Sequence, residues 1–167
     1  MGKIFLVRHA QAEWSTHYSD PVLSEFGRKQ AKQLSEFFLA LPVSMIITSP
    51  LKRAIETAQI IAQTLNCPLI IAKSIKERGS AESDEQLSNR VTTWLDQCSL
   101  PNTGTILLSH GGFLNALFEK LEIVLSENTP KDRFGSLIGI AEILSLESLT
   151  HGSQADRIFQ AGDCDEI

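Results

Sequence analysis

Lys3–Val7 is a short apolar, β-branched run that stops at Arg8-His9. Such a run predicts a strand buried on both faces. A polar loop follows to about Leu23, and then the period changes. Phe26, Leu34, Phe37, Phe38 and Leu41 fall on one helical face, with Ser24 as N-cap and Pro42 as the stop. Val43–Thr48 predicts a second strand. Ser49-Pro50 reads as the N-cap and first residue of the next helix. Leu51, Ala54, Ile55, Ala58, Ile61, Ala62 and Leu65 form its apolar stripe, which ends at Asn66-Cys67-Pro68. Leu69–Ala72 is a third strand. Glu85–Cys98 is a helix with Leu87, Val91, Trp94 and Leu95 inward. Thr105–Leu108 is a strand and Phe113–Leu121 a helix. Ser136–Leu146 and Arg157–Gln160 hold two further strands. This alternation predicts a three-layer α/β/α sandwich with a mostly parallel central sheet. The 167 residues suit a single domain, 1–167, with a sizeable core and no repeat or linker.

Composition changes this picture little. The chain is 43% hydrophobic and 21% charged, ordinary for a globular protein. A formal net charge of -5 disfavours nucleic acid as a partner, so any anion site must be a local cluster of cations. Cys67, Cys98 and Cys164 are odd in number and far apart, which predicts free thiols in a reducing compartment. No apolar run is long enough to span a membrane. Arg8 and His9 interrupt the first apolar stretch as no signal peptide would. Leu6 and the acidic residues after Cys164 spoil myristoyl and prenyl signals. The expectation is a cytoplasmic protein with no membrane or nucleic-acid partner; its oligomeric state is not legible.

Ligands of such sheets bind beyond the carboxyl ends of the strands. Three predicted strand ends carry polar groups: Arg8-His9, Thr48-Ser49-Pro50 with Arg53 one turn on, and Ser109-His110-Gly111-Gly112. Helix starts near Leu51 and Gly111 add backbone N–H groups. Two histidines, two arginines and these N–H groups make a cradle whose natural guest is a phosphoryl group. No P-loop sequence is present. Two histidines and a carboxylate also suit a metal, but Arg8 beside His9 would repel a cation.

Four segments in this order resemble the histidine phosphatase superfamily, also called phosphoglycerate mutase-like. "VRHAQAEW" resembles its first-histidine signature. "DPVLSEFGRKQA" (Asp20–Ala31), "TSPLKRAIETA" (Thr48–Ala58) and "LLSHGGFLNAL" (Leu107–Leu117) resemble the segments that follow. The resemblance implies a phosphoglycerate mutase-like fold. It implies His9 as nucleophile, Arg8 and Arg53 as ligands of the phosphate oxygens, and His110 as a further donor to them. Gly111 lends backbone N–H to that cradle. Glu77 falls where the family places its general acid, and Glu82 competes for that role. Ala10 stands where glycine is usual, and Ser15 where many members carry a phosphate-touching Asn. The polar stretch Lys76–Glu85 is much shorter than the family's usual substrate lid, so an open site with little mutase activity is expected.

The resulting expectation is a cofactor-free, metal-free phosphatase acting on monoesters through a phosphohistidine. Its partner is a small phosphorylated metabolite or a phosphoprotein. One alternative is a phosphohistidine-protein phosphatase, whose phosphoramidate needs no acid. Another is a silent phosphate-binding module. His17 and His151 read as surface residues, and Trp14 as either an entrance residue or a packing one.

Overall fold

The computed structural model describes residues 3–14, 19–101, 104–126, 131–132 and 135–162. Cys164, His17 and Ser15 lie outside the described residues. In chain order the elements are β1 (Ile4–Arg8), α1 (Glu25–Phe38), β2 (Met45–Thr48), α2 (Lys52–Leu65), β3 (Leu69–Ile71), a 3₁₀ turn (Lys73–Ile75), α3 (Asp84–Gln97), β4 (Thr105–Ser109), α4 (Gly111–Leu121), β5 (Val124–Leu125), β6 (Glu142–Leu146) and β7 (Gln154–Gln160).

The sheet order is β3-β2-β4-β1-β6-β7-β5. The β3, β2, β4 and β1 strands run parallel. β6 is antiparallel to both β1 and β7. The side-chain period of two explains why β1 and β4 read as unbroken apolar runs. Phe5, Val7, Ile106 and Leu108 pack with α1 and α2 side chains such as Leu34, Phe38, Ala54 and Ile61. Ile4, Leu6 and Leu107 face the other way, against Val91, Trp94, Phe113 and Leu117 of α3 and α4. Each face is covered, which gives the three expected layers.

Boundaries shift where local chemistry intervenes. Ser24 caps α1 as expected, its hydroxyl accepting from Gly27 N–H at 2.9 Å. Ser49 does not cap α2. The helix begins at Lys52, and Asp20 from the preceding loop accepts Lys52 N–H at 3.0 Å. Ser49 is thereby freed to face His110. Asn66 ends α2 in the left-handed conformation, with φ of 50°. The 3₁₀ turn and β5 were not foreseen, because segments this short carry no measurable period. Among the described residues no helix is long and apolar enough to cross a membrane.

Candidate functional site

His9 follows β1 directly and continues its pairing with β4, donating its N–H to Ser109 O at 3.1 Å. The ring Nδ1 lies 2.7 Å from Ala10 O. A carbonyl only accepts, so Nδ1 carries the ring proton and Nε2 keeps its lone pair. Arg53 Nε–H donates to that Nε2 at 3.2 Å. Burial, then the Arg53 charge, then Arg8 depress the His9 pKa from 6.5 to about 3, against an opposing push from the Ala10 hydrogen bond. The imidazole is therefore neutral at physiological pH.

This arrangement predicts acid sensitivity with a definite sign. Above pH 6.5 neither folded nor unfolded His9 holds the extra proton. Between 6.5 and about 3 the unfolded chain takes it and the native one does not. Stability therefore falls as pH drops through that window. Burial depresses His110 in the same direction. The urea midpoint at pH 5 is expected below that at pH 7, and His9→Gln is expected to remove part of the difference. An undiminished difference in the variant would show that His9 is not buried in its neutral form.

The β4–α4 junction brings in the second histidine. His110 is fully buried and its ring centroid lies 4.9 Å from that of His9. Its Nε2 is 2.6 Å from Ser49 Oγ. Ser49 Oγ also accepts from Leu51 N–H at 3.3 Å, and its one proton can point at His110 Nε2. In that tautomer His110 Nδ1 carries the ring proton, and this buried atom has no hydrogen-bond partner.

Arg8, 8% exposed, donates through Nη1 to Asp132 at 2.6 Å and to Ile138 O at 3.1 Å, while its buried Nε has no hydrogen-bond partner. The loop that supplies Ile138 is braced below by Glu142, which accepts Gly139 N–H and pairs with Arg157. Arg53 lies 3.7 Å from Asp20, so the residue that caps α2 also steadies this arginine. Burial pulls the Arg53 pKa down, while Glu77 and Asp20 hold it up.

The two glycines after His110 are explained by space. A Cβ on Gly111 would sit 2.9 Å from Ser136 Oγ and 3.3 Å from Arg8 Cζ. One on Gly112 would sit 2.5 Å from Glu77 Oε1. The first turn of α4, with its N–H groups unused within the helix, thus meets Arg8 on one side and Glu77 on the other.

Glu77 and Glu82, left open by the sequence, differ sharply. Glu77 lines the same cavity as His9, Arg8 and Arg53. Glu82 is gripped by Arg90 through both oxygens, at 2.8 and 2.7 Å, and accepts Gly79 N–H at 3.0 Å. The Arg90 hydrogen bonds chiefly hold its pKa down at about 2. Glu82 folds residues 76–83 against α3; it is not turned to the cavity.

Several residues that hold the first loop were invisible as single positions. Ala10 N–H donates to Thr57 Oγ1 at 3.1 Å, and Gln11 N–H to Gln30 Oε1 at 2.9 Å. A Cβ on Gly27 would fall 1.9 Å from Gln11 O, so only glycine lets α1 approach this closely. Ala10 itself needs no positive φ, which is why alanine serves there. Asp132 carries no sequence signal, because its partner Arg8 lies 124 residues away.

The cavity over His9 measures about 290 Å³ and includes Trp14, Pro21 and Ile140 in its wall. A larger one of about 370 Å³ lies beyond Gly112 and contains no histidine; its Arg78 is paired with Asp84. The smaller cavity is the one that brings His9, Arg8, Arg53 and Glu77 together. No cluster of three His, Cys, Asp or Glu residues is arranged to hold a metal ion among the described residues.

Residues 4–81 match the family model of the histidine phosphatase superfamily (branch 1). The uncharacterized phosphatase PhoE of Bacillus subtilis is 26% identical over 150 residues, which cover 72% of this chain and 78% of that protein. The probable phosphoglycerate mutase GpmB of Cronobacter sakazakii is 38% identical over 82 residues; the match spans 46% of this chain and only 38% of that relative. In architecture, the phosphoserine phosphatase of Entamoeba histolytica superposes over 100% of both chains with a TM-score of 0.70 at 20% identity. The motif order and the match over residues 4–81 make the chain similar to the histidine phosphatase superfamily, and the solved structures share its fold.

Proposed function

We propose that the protein hydrolyses phosphate monoesters of small metabolites through a phosphohistidine on His9. The observation that carries this reading is the pair of orphaned buried nitrogens, Arg8 Nε and His110 Nδ1, around a neutral His9. A buried unpaired donor is costly, and an incoming phosphoryl oxygen satisfies both. Arg8, Arg53, His110 Nδ1–H and the N–H of Gly111 hold the phosphoryl oxygens. Each charge-assisted bond contributes roughly 1.5–3 kcal/mol. His9 Nε2 attacks phosphorus, the ester P–O bond breaks, and Glu77 protonates the departing alkoxide. Glu77 then takes a proton from water, which attacks the phosphohistidine and releases inorganic phosphate. Arginines supply the positive charge that a metal supplies elsewhere.

The test is turnover of para-nitrophenyl phosphate by purified enzyme in excess EDTA. Activity is expected to persist and to be inhibited by vanadate. Activity restored only by Zn²⁺ or Mg²⁺ would indicate a metallophosphatase, and no turnover would indicate a binding module. A coupled mutase assay on the same preparation adds a second readout. Among the described residues only the short loop 76–83 stands where a lid would close over the intermediate, which leaves water a route to phosphorylated His9. Phosphate release is expected to exceed interconversion of 2- and 3-phosphoglycerate.

A further inference from the structure

The phosphoryl group occupies only the floor of the His9 cavity. Its remaining wall shows what the rest of the substrate meets. Arg8 and Arg53 are the cations among the described lining residues, and both are committed to the phosphoryl dianion in the proposed mechanism. Of the two acidic lining residues, Glu77 is the protonated acid of that mechanism, and Glu13 is the remaining carboxylate. Arg78, next in sequence to Glu77, is spent on Asp84 at 2.6 Å and on Glu82 O at 3.1 Å. A second anionic group on the substrate therefore meets like charge.

Among the described lining residues the uncharged wall is apolar and in part aromatic: Ala12, Trp14, Pro21 and Ile140, with Ser19 as the one hydroxyl. Trp14 is 75% exposed, unusual for the side chain with the most area to bury. The other exposed large hydrophobics, Leu39, Ile70, Ile71 and Val124, line no part of this cavity. The backbone beneath Trp14 is anchored. Ala12 bridges Leu23 in antiparallel register, and Glu13 N–H donates to Val22 O at 2.9 Å. Continuing that register sets Trp14 opposite Pro21, whose missing N–H ends the ladder. Both residues line the cavity and give that part of its wall an apolar surface.

We infer that the enzyme selects monoesters whose remainder is aromatic or otherwise flat and apolar and carries no second anionic charge, held against Trp14 and Pro21. This rests on the phosphatase reading above.

The test compares phenyl phosphate with 4-(carboxymethyl)phenyl phosphate, whose leaving phenols are of similar acidity. The carboxylate is expected to lower kcat/KM by roughly 10–10²-fold, and Glu13→Gln to recover part of that loss. Trp14→Ala is expected to raise KM for phenyl phosphate by roughly 5–50-fold, with kcat changed far less and inhibition by inorganic phosphate nearly unmoved. Trp14→Tyr is expected to restore most of the KM. Equal kcat/KM for the two esters, or an unmoved KM in Trp14→Ala, would overturn the inference while leaving the phosphatase reading intact. Failure to hydrolyse either ester would overturn the phosphatase reading itself.

Discussion

His9→Ala is expected to lower turnover of every phosphate ester by on the order of 10⁴-fold or more, the usual scale for removal of a covalent nucleophile. The argument is positional. His9 Nδ1 is tied to Ala10 O, and Arg53 holds Nε2, so the ring has one orientation and one unprotonated nitrogen. No other side chain in the cavity combines a neutral lone pair with flanking arginines. Ser49, beside His110, is a rival nucleophile, but its hydroxyl is occupied by His110 and Leu51 N–H. The fold is expected to survive, because His9 pairs with Ser109 and Ala141 through its backbone, which alanine keeps, and the core strands keep their partners. Brief exposure of the native enzyme to ³²P-labelled substrate is expected to leave acid-labile label on His9. Label on Ser49, or a variant that folds and turns over normally, would overturn the covalent mechanism.

How much of this was legible depended on the range of each signal. β1, α1, α2 and β4 were readable because burial on two faces, or on one helical stripe, writes a period into the sequence. Arg8, His9, Arg53 and His110 were readable because each sits within a few residues of a strand end, and strand ends of a parallel sheet converge. Asp132 and the Glu142–Arg157 brace were not readable. They act across the fold, and no local pattern relates Asp132 to an arginine on β1. Asp20 stood in a quoted motif, but its task was hidden: it caps a helix from another loop, a job the sequence assigned to Ser49. Gly112 had no separate task in the sequence, whereas in the structure a Cβ there would push against the Glu77 carboxylate. Glu77 against Glu82 could not be settled from spacing, since both lie in one polar loop. What separates them is Arg90, a residue on α3 that claims Glu82 with both of its oxygens.

That separation yields the second large effect. Glu77→Gln is expected to slow esters with poor leaving groups, such as alkyl phosphates, by on the order of 10²–10⁴-fold. Aryl phosphates are expected to suffer far less, because a phenoxide departs without a proton. The amide of Gln keeps the size of the side chain against Gly112, where space is tight, so the loss reports proton transfer more than repacking. Glu82→Gln serves as the internal control. It weakens the Arg90 clamp and the fold of residues 76–83, so it is expected to lower thermal stability while leaving the dependence on leaving-group acidity unchanged. The measurement is a plot of log kcat/KM against leaving-group pKa for each variant. A steepened slope for Glu77→Gln alone supports the assignment. A steepened slope for Glu82→Gln alone would move the acid to Glu82 despite its ion pair. If neither slope changes, no side-chain acid takes part. Phosphoramidates, whose nitrogen leaves more readily than an alkoxide, would then be the better substrates, and a phosphohistidine on another protein the better partner for this site.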